Sequence, residues 1–196
     1  MVKPFSPRFA DALGYTVGLH AEQPRKGSNI PYISHLLAVT AIVLEHGGTE
    51  DEAIAALLHD AIEDQGGAPT RDAIRHRYGK KVVAIVDGCT DAETTPKPPW
   101  RERKEAYVAH IAHASRSVRL VSATDKLHNV RSIIADYRQV GDKVWKRFTG
   151  RRDGTLWYYR ALVDAFRAVE PSPLVDELDR AVSELERLAA NPLNPR

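Results

Sequence analysis

The chemistry in this sequence concentrates in His59-Asp60-Ala61-Ile62-Glu63-Asp64, where four groups able to hold a cation or carry a proton fall within six residues. They close an otherwise apolar run from Ala53 to Ile62. An apolar run is buried on folding, and a charge buried with it is costly unless paired or bound to a metal. On a helix His59 and Glu63 are i,i+4 neighbours, as are Asp60 and Asp64, so the segment presents two adjacent polar stripes. Glu63 and Asp64 alone read as an ordinary solvated helix end. His59-Asp60 directly after Leu57-Leu58 does not.

Two further residues could join them. His35 opens a helix that is apolar nearly all round, and Asp125 sits in Ser122-Ala123-Thr124-Asp125-Lys126-Leu127-His128-Asn129, a polar interruption of an otherwise apolar helical pattern. Singly, His35 reads as a hydrogen-bonded core histidine, and Asp125 as an acid paired with Lys126 or Arg131. If the three helices pack together, two imidazoles and two carboxylates can converge. A mixed nitrogen and oxygen site completed by water suits Mn, Fe, Co or Ni better than a closed structural zinc site. Such an ion acidifies a water and holds a phosphoryl oxygen.

Helices must position these groups. Ser6-Pro7 is an N-cap followed by proline at the first helical position, opening a helix through about His20. Gln23 to Pro31 is a loop by its Pro, Gly and Asn content. Ser34 is the expected N-cap of the His35 helix, which stops before Gly47-Gly48. Thr49-Glu50-Asp51-Glu52 is a capping box for the helix that ends in His59-Asp60. After the break at Gln65–Pro69, Thr70 restarts the chain in two short helices hinged at Gly79. Thr90 to Pro99 is a second loop and carries Lys97. Further helices are expected over about Trp100–His113, Ser117–Tyr137, Thr155–Val169 and Ser172–Ala190, with 140–150 irregular and a Pro/Asn tail from 191. Only Val82–Val86 competes as a strand. The expectation is one all-α domain over 1–196, its core at about 6–170 and its last helix at 172–190.

Bulk properties narrow the function. A chain of 196 residues is long enough for one domain with a sizeable core. A net charge of +2 is too mild to argue for nucleic acid or membrane partners. The single cysteine, Cys89, excludes an intrachain disulfide and fits a reducing, cytoplasmic setting. No apolar run approaches the roughly 20 residues of a membrane span, and the first residues lack the apolar core of a signal peptide.

His35, His59-Asp60 and Asp125 resemble the H…HD…D signature of the HD-domain metal phosphohydrolases. The fuller match is to the hydrolase domain of the RelA/SpoT alarmone enzymes, in particular their small stand-alone hydrolases, the metazoan SpoT homologs among them. It is carried by Arg25-Lys26-Gly27 with Pro31-Tyr32-Ile33-Ser34-His35, by Ala56 to Asp64, by Lys97 before Arg101-Glu102-Arg103-Lys104, and by Thr124 to Arg131. It spans about Phe9 to Val169. Leu36 stands where the family usually has proline and Thr124 where alanine is common; neither change removes a ligand. These 196 residues match only the hydrolase half of the long enzymes, so no synthetase activity is expected of them.

The resemblance implies an all-α HD-domain bundle in which His35, His59, Asp60 and Asp125 bind one Mn²⁺ or another divalent transition metal. It implies hydrolysis of guanosine tetra- or pentaphosphate to GDP or GTP and pyrophosphate, at the bond between the ribose 3′ oxygen and its pyrophosphate. Glu63 and Asp64, one turn beyond the ligand pair, are then expected to position and deprotonate the water. Arg25, Lys26 and Lys97 lie in loops flanking the site and become candidate phosphate contacts. Asn129, i+4 from Asp125, and Tyr158 are matched to the nucleoside; Tyr158 reads equally as a core aromatic, and Tyr159 competes with it. Two other readings keep the same residues: a different nucleotide substrate, such as an adenosine alarmone or the 2′-phosphate of NADPH, or a sensor that binds without turnover. The partner expected is a small nucleotide, with no nucleic acid or membrane; oligomeric state is left open.

Overall fold

The structure, a computed structural model, describes residues 4–91 and 96–191. The expected loop at 90–99 therefore lies partly, the tail from 192 wholly, and the first three residues wholly outside the described residues. Among the described residues there is no strand, only an isolated antiparallel bridge between Pro24 and Pro31, and the Val82–Val86 segment is helical. The all-α expectation holds. Among the described residues no helix is long and apolar enough to cross a membrane. Two compact units emerge, Met1–Lys97 with Ser115–Ser122, and Pro98–Ala114 with Ala123–Arg196.

The first unit is organised around α3 (Glu50–Leu58), which packs against α1 (Pro7–Leu19), α2 (Ile33–Glu45) and α5 (Ala68–Cys89). Ala53 through Leu58 are all fully buried, so α3 is a core helix on every side. Its start is the predicted capping box: the Thr49 side chain accepts from the Glu52 N–H, and the Glu52 carboxylate accepts from the Thr49 N–H at 2.7 Å. Ser117 Oγ donates to the other Glu52 oxygen at 2.7 Å, satisfying an acid that is 4% exposed. Ser6 caps α1 as expected.

Three local expectations need correction. The α2 helix begins at Ile33 with Tyr32 as its N-cap, because the Ser34 hydroxyl instead donates to the Pro31 carbonyl at 2.8 Å. The helix ends at His59-Asp60 as expected, but Glu63 and Asp64 are not on it: α3 stops at Leu58, and a short α4 (Ala61–Asp64) follows with Asp60 at its N-cap. Past the Gly turn, α5 begins at Ala68 rather than Thr70 and kinks at Gly79, whose φ of 89° only glycine adopts readily.

In the second unit α8 (Arg151–Val169) packs against α6 (Trp100–Ile111), α9 (Pro173–Ala190) and a 3₁₀ stretch, Gly141–Arg147. That stretch occupies the segment expected to be irregular, and α8 starts a turn earlier than Thr155. Ser172 caps α9 by accepting from the Val175 N–H. Arg160 binds Asp179 at 2.5 Å and Glu186 at 2.6 Å, so one guanidinium ties α8 to two turns of α9. The long helix α7 (Arg116–Val140) gives its first turns to the first unit and the remainder to the second.

Candidate metal centre and its flanks

His35, in the first turns of α2, is 1% exposed, and His59, at the end of α3, is 2% exposed. Their rings stand edge to face with centroids 5.2 Å apart. Both Nε2 atoms face one oxygen of Asp60: Oδ2 lies 3.0 Å from His59 and 3.8 Å from His35. Asp60 lies between α3 and α4, its backbone at φ −100° and ψ −3°. Tyr32, at the α2 N-cap, donates its hydroxyl to the same Asp60 oxygen at 2.5 Å.

The tautomer of His59 is set by its other nitrogen. Nδ1 lies 2.8 Å from the Ala56 carbonyl, which can only accept, so Nδ1 carries the hydrogen. In the neutral ring Nε2 is then a lone pair aimed at a carboxylate oxygen. Two acceptors at that separation repel unless a proton or a cation lies between them. This donor set, two imidazole nitrogens converging on a carboxylate with one ring locked by a backbone carbonyl, fits a divalent cation of borderline hardness.

Glu63 and Asp64 follow on α4. Glu63 accepts from Lys97 Nζ at 2.6 Å and from the Asp91 N–H at 3.3 Å. Two of the expected site residues, one assigned to proton transfer and one to phosphate, are therefore paired with each other. Asp64 has much of its surface open to solvent, yet its carboxyl is pushed above the ordinary range. The causes are withdrawal of the carboxyl from water, then the charge of Asp60; an N–H from Gln23 at 2.8 Å acts the other way. Arg25 and Lys26 sit in a loop closed at its neck by two backbone bonds, Arg25 N–H to the Ile30 carbonyl and Tyr32 N–H to the Gln23 carbonyl. The Arg25 guanidinium lies 5.8 Å from the Tyr32 ring centre.

In the second unit Asp125 is 5% exposed, held by Lys126 Nζ on one oxygen and by Asn129 Nδ2 on the other, each at 2.5 Å. The pairing with Lys126 is thus real, but the pair is buried rather than a surface one. Burial alone would lower the Lys126 ammonium; Asp125 and the nearby tyrosines more than offset it and raise it well above normal. Tyr158 is buried among Trp100 and Tyr159, with Lys104 Nζ 4.8 Å from its ring centre. It is both the core aromatic and a neighbour of a cation.

Sequence reasoning left out Tyr32 and Gln23. Tyr32 lay inside the Pro31–His35 motif, three residues before His35. Gln23 gave no signal, since its contact with Asp64 spans 41 positions.

Residues 12–156 match the HD domain family, and the chain belongs to it. Among its relatives is the guanosine-3′,5′-bis(diphosphate) 3′-pyrophosphohydrolase MESH1 of Xenopus tropicalis, 38% identical over 126 residues, which are 63% of this chain and 68% of that protein. The Homo sapiens protein of the same name is 35% identical over the same shares. A solved metazoan ortholog of SpoT, described as hydrolysing ppGpp, aligns with a TM-score of 0.78 at 25% identity, over 93% of this chain and 98% of that one.

Proposed function

We propose that the chain is a divalent-metal-dependent 3′-pyrophosphohydrolase of guanosine tetra- and pentaphosphate, working as one HD-type domain over 1–196. Water adds across the bond between the 3′-linked phosphorus and the ribose oxygen; the products are GDP or GTP and pyrophosphate. One observation carries the reading: the Nδ1-protonated His59 turns its lone pair onto Asp60 at 3.0 Å, with His35 facing the same oxygen. The names of the relatives and the HD-domain match support the same activity.

His35, His59, Asp60 and Asp125 would hold the ion, with Mn²⁺ as the proposed metal. In support, the HD-domain match spans all four residues, and imidazole nitrogens with carboxylate oxygens suit such an ion. When bound, such an ion polarises a phosphoryl oxygen and lowers the pKa of water. Asp64 and Glu63 accept and hold the proton of the attacking water. Arg25, Lys26 and Lys97 bind the phosphates, Arg25 being suited to two oxygens at once. Asn129 and Tyr158 contact the nucleoside. The reading puts the reaction in the cytoplasm, in keeping with the lone Cys89.

The test is incubation of the purified protein with Mn²⁺ and guanosine tetraphosphate, beside adenosine tetraphosphate and NADPH. Pyrophosphate and GDP from the first, in preference to pyrophosphate from the adenosine compound or phosphate from NADPH, is the expected result. Turnover of NADPH or the adenosine compound alone refutes the substrate assignment, and no turnover with any refutes the enzyme.

A further inference from the structure

Gln23 and His20 have no part in the roles assigned above, yet both face the acid-bearing segment. His20 ends α1 and is 2% exposed, its ring stacked on Tyr32 with centroids 5.4 Å apart. Its Nδ1 lies 2.7 Å from Gln23 Oε1. Gln23 Nε2 lies 2.8 Å from Asp64 Oδ2, and Gln65 Nε2 lies 2.6 Å from Gln23 Oε1.

The carboxylate fixes every orientation in this chain. Ionised Asp64 only accepts, so Gln23 must turn its NH₂ towards it and its oxygen away. The oxygen only accepts in turn, so His20 must carry its proton on Nδ1. His20 Nε2 is buried with no hydrogen-bond partner among the described residues. That suits a bare lone pair better than an unsatisfied N–H, which costs more to bury. The Gln23 backbone is anchored too: its N–H donates to the His20 carbonyl at 3.1 Å and its carbonyl accepts from Tyr32 at 2.8 Å.

We propose that Gln23 is a positioning residue for Asp64: locked in one amide orientation by buried His20, it aims the Asp64 carboxylate and ties it to the loop bearing Arg25 and Lys26. This rests on the reading of Asp64 as a proton-handling group. Tyr32, bonded to Gln23 through the backbone, performs the matching contact on Asp60 one turn earlier. The two residues at the neck of the basic loop thus each grip one acid of the segment.

The experiment uses the Mn²⁺-loaded protein and pyrophosphate release from guanosine tetraphosphate. Its variants are Asp64→Asn, Gln23→Met, the two combined, His20→Asn and His20→Leu. Gln23→Met is expected to lower kcat roughly 10–100-fold, the range for residues that orient a functional group, with KM changed less than about twofold. In the Asp64→Asn background the same change costs less than about twofold, because its target is gone. His20→Asn, whose side-chain N–H can stand in for Nδ1–H, keeps kcat near wild type; His20→Leu loses as much as Gln23→Met. Should Gln23→Met fold poorly, the isosteric Gln23→Glu puts an acceptor against Asp64 and gives the same kcat-selective loss. Equal losses from Gln23→Met in both backgrounds, or wild-type kcat in His20→Leu, overturn the inference. Near wild-type turnover in Asp64→Asn instead sinks the underlying reading of Asp64, and that result is seen with Gln23 untouched.

Discussion

Lys97 Nζ meets Glu63 Oε1 at 2.6 Å, so a residue suited to phosphate and a residue suited to a proton neutralise one another in the free protein. On the proposed phosphate-binding role of Lys97, an arriving polyphosphate would compete with Glu63 for the ammonium. Phosphate binding and the freeing of a carboxylate then become one event.

Lys97→Met is accordingly expected to raise KM for guanosine tetraphosphate roughly tenfold or more, the cost of one charged hydrogen bond. Lys97 is 44% exposed, so the pair adds little to stability. Its loss should move Tm by less than about 4 °C. Steady-state kinetics and a melting curve check both halves. An unchanged KM would remove Lys97 from the phosphate site.

The metal assignment makes a different demand on His59. His59→Ala should weaken Mn²⁺ binding by more than about tenfold, read by calorimetry. Chelation of the wild type should abolish turnover while leaving far-ultraviolet circular dichroism unchanged, because the helix that ends at His59 is held by a fully buried apolar surface. Helix loss on chelation would make the site structural.

Glu52 predicts a pH dependence of folding. Burial pushes its carboxyl up, but the Thr49 N–H, the Ser117 and Thr49 hydroxyls and the Arg116 charge prevail, holding it below its ordinary value of 4.5. A carboxylate depressed in the folded state stabilises the protein above its unfolded pKa and loses that effect as pH falls through the folded value. The wild type should therefore lose Tm as the pH falls below about 4.5 more steeply than Glu52→Gln does. At pH 7 that variant should cost about 1–3 kcal/mol, since it breaks a charged cap on a central helix.

Gly150→Ala tests the second unit. A Cβ at Gly150 would stand 2.5 Å from Trp100 Cη2, and the φ of −71° there imposes no backbone strain of its own. A bulky indole cannot yield as a lysine tip can, so the variant should lose about 1–3 kcal/mol of stability. Trp100→Leu should remove most of the difference between glycine and alanine at 150, measured as a thermal double-mutant cycle.

The sequence made legible whatever depended on neighbours in the chain. The Thr49 capping box, the Ser6 cap and the hinge at Gly79 all stand where local chemistry demands them. What failed was governed by distant or competing contacts. Ser34 looked like a cap, but its hydroxyl found the Pro31 carbonyl while α2 had already begun. The start of α8 was missed because Arg151-Arg152-Asp153-Gly154 has no apolar period, and its first residue takes φ = 52° after Gly150. In the site, the pairing of His59 with Asp60 was legible as a dipeptide. So was the end of α3 at that dipeptide; the separate short helix carrying Glu63 and Asp64 was not, since an unbroken ladder would satisfy the same pattern.

The basic loop has a further consequence. Two backbone bonds close its neck, and the side chains at that neck brace the acids, so residues 26–29 form a detachable tip. Chain added beyond Lys26 would lie outside the neck bonds, as insertions at exposed loop tips commonly do. On the proposed phosphate-binding role of Arg25 and Lys26, selectivity among phosphorylated ligands would be open to change by insertion at one hairpin-like end, an evolutionary handle separate from the proton-handling acids.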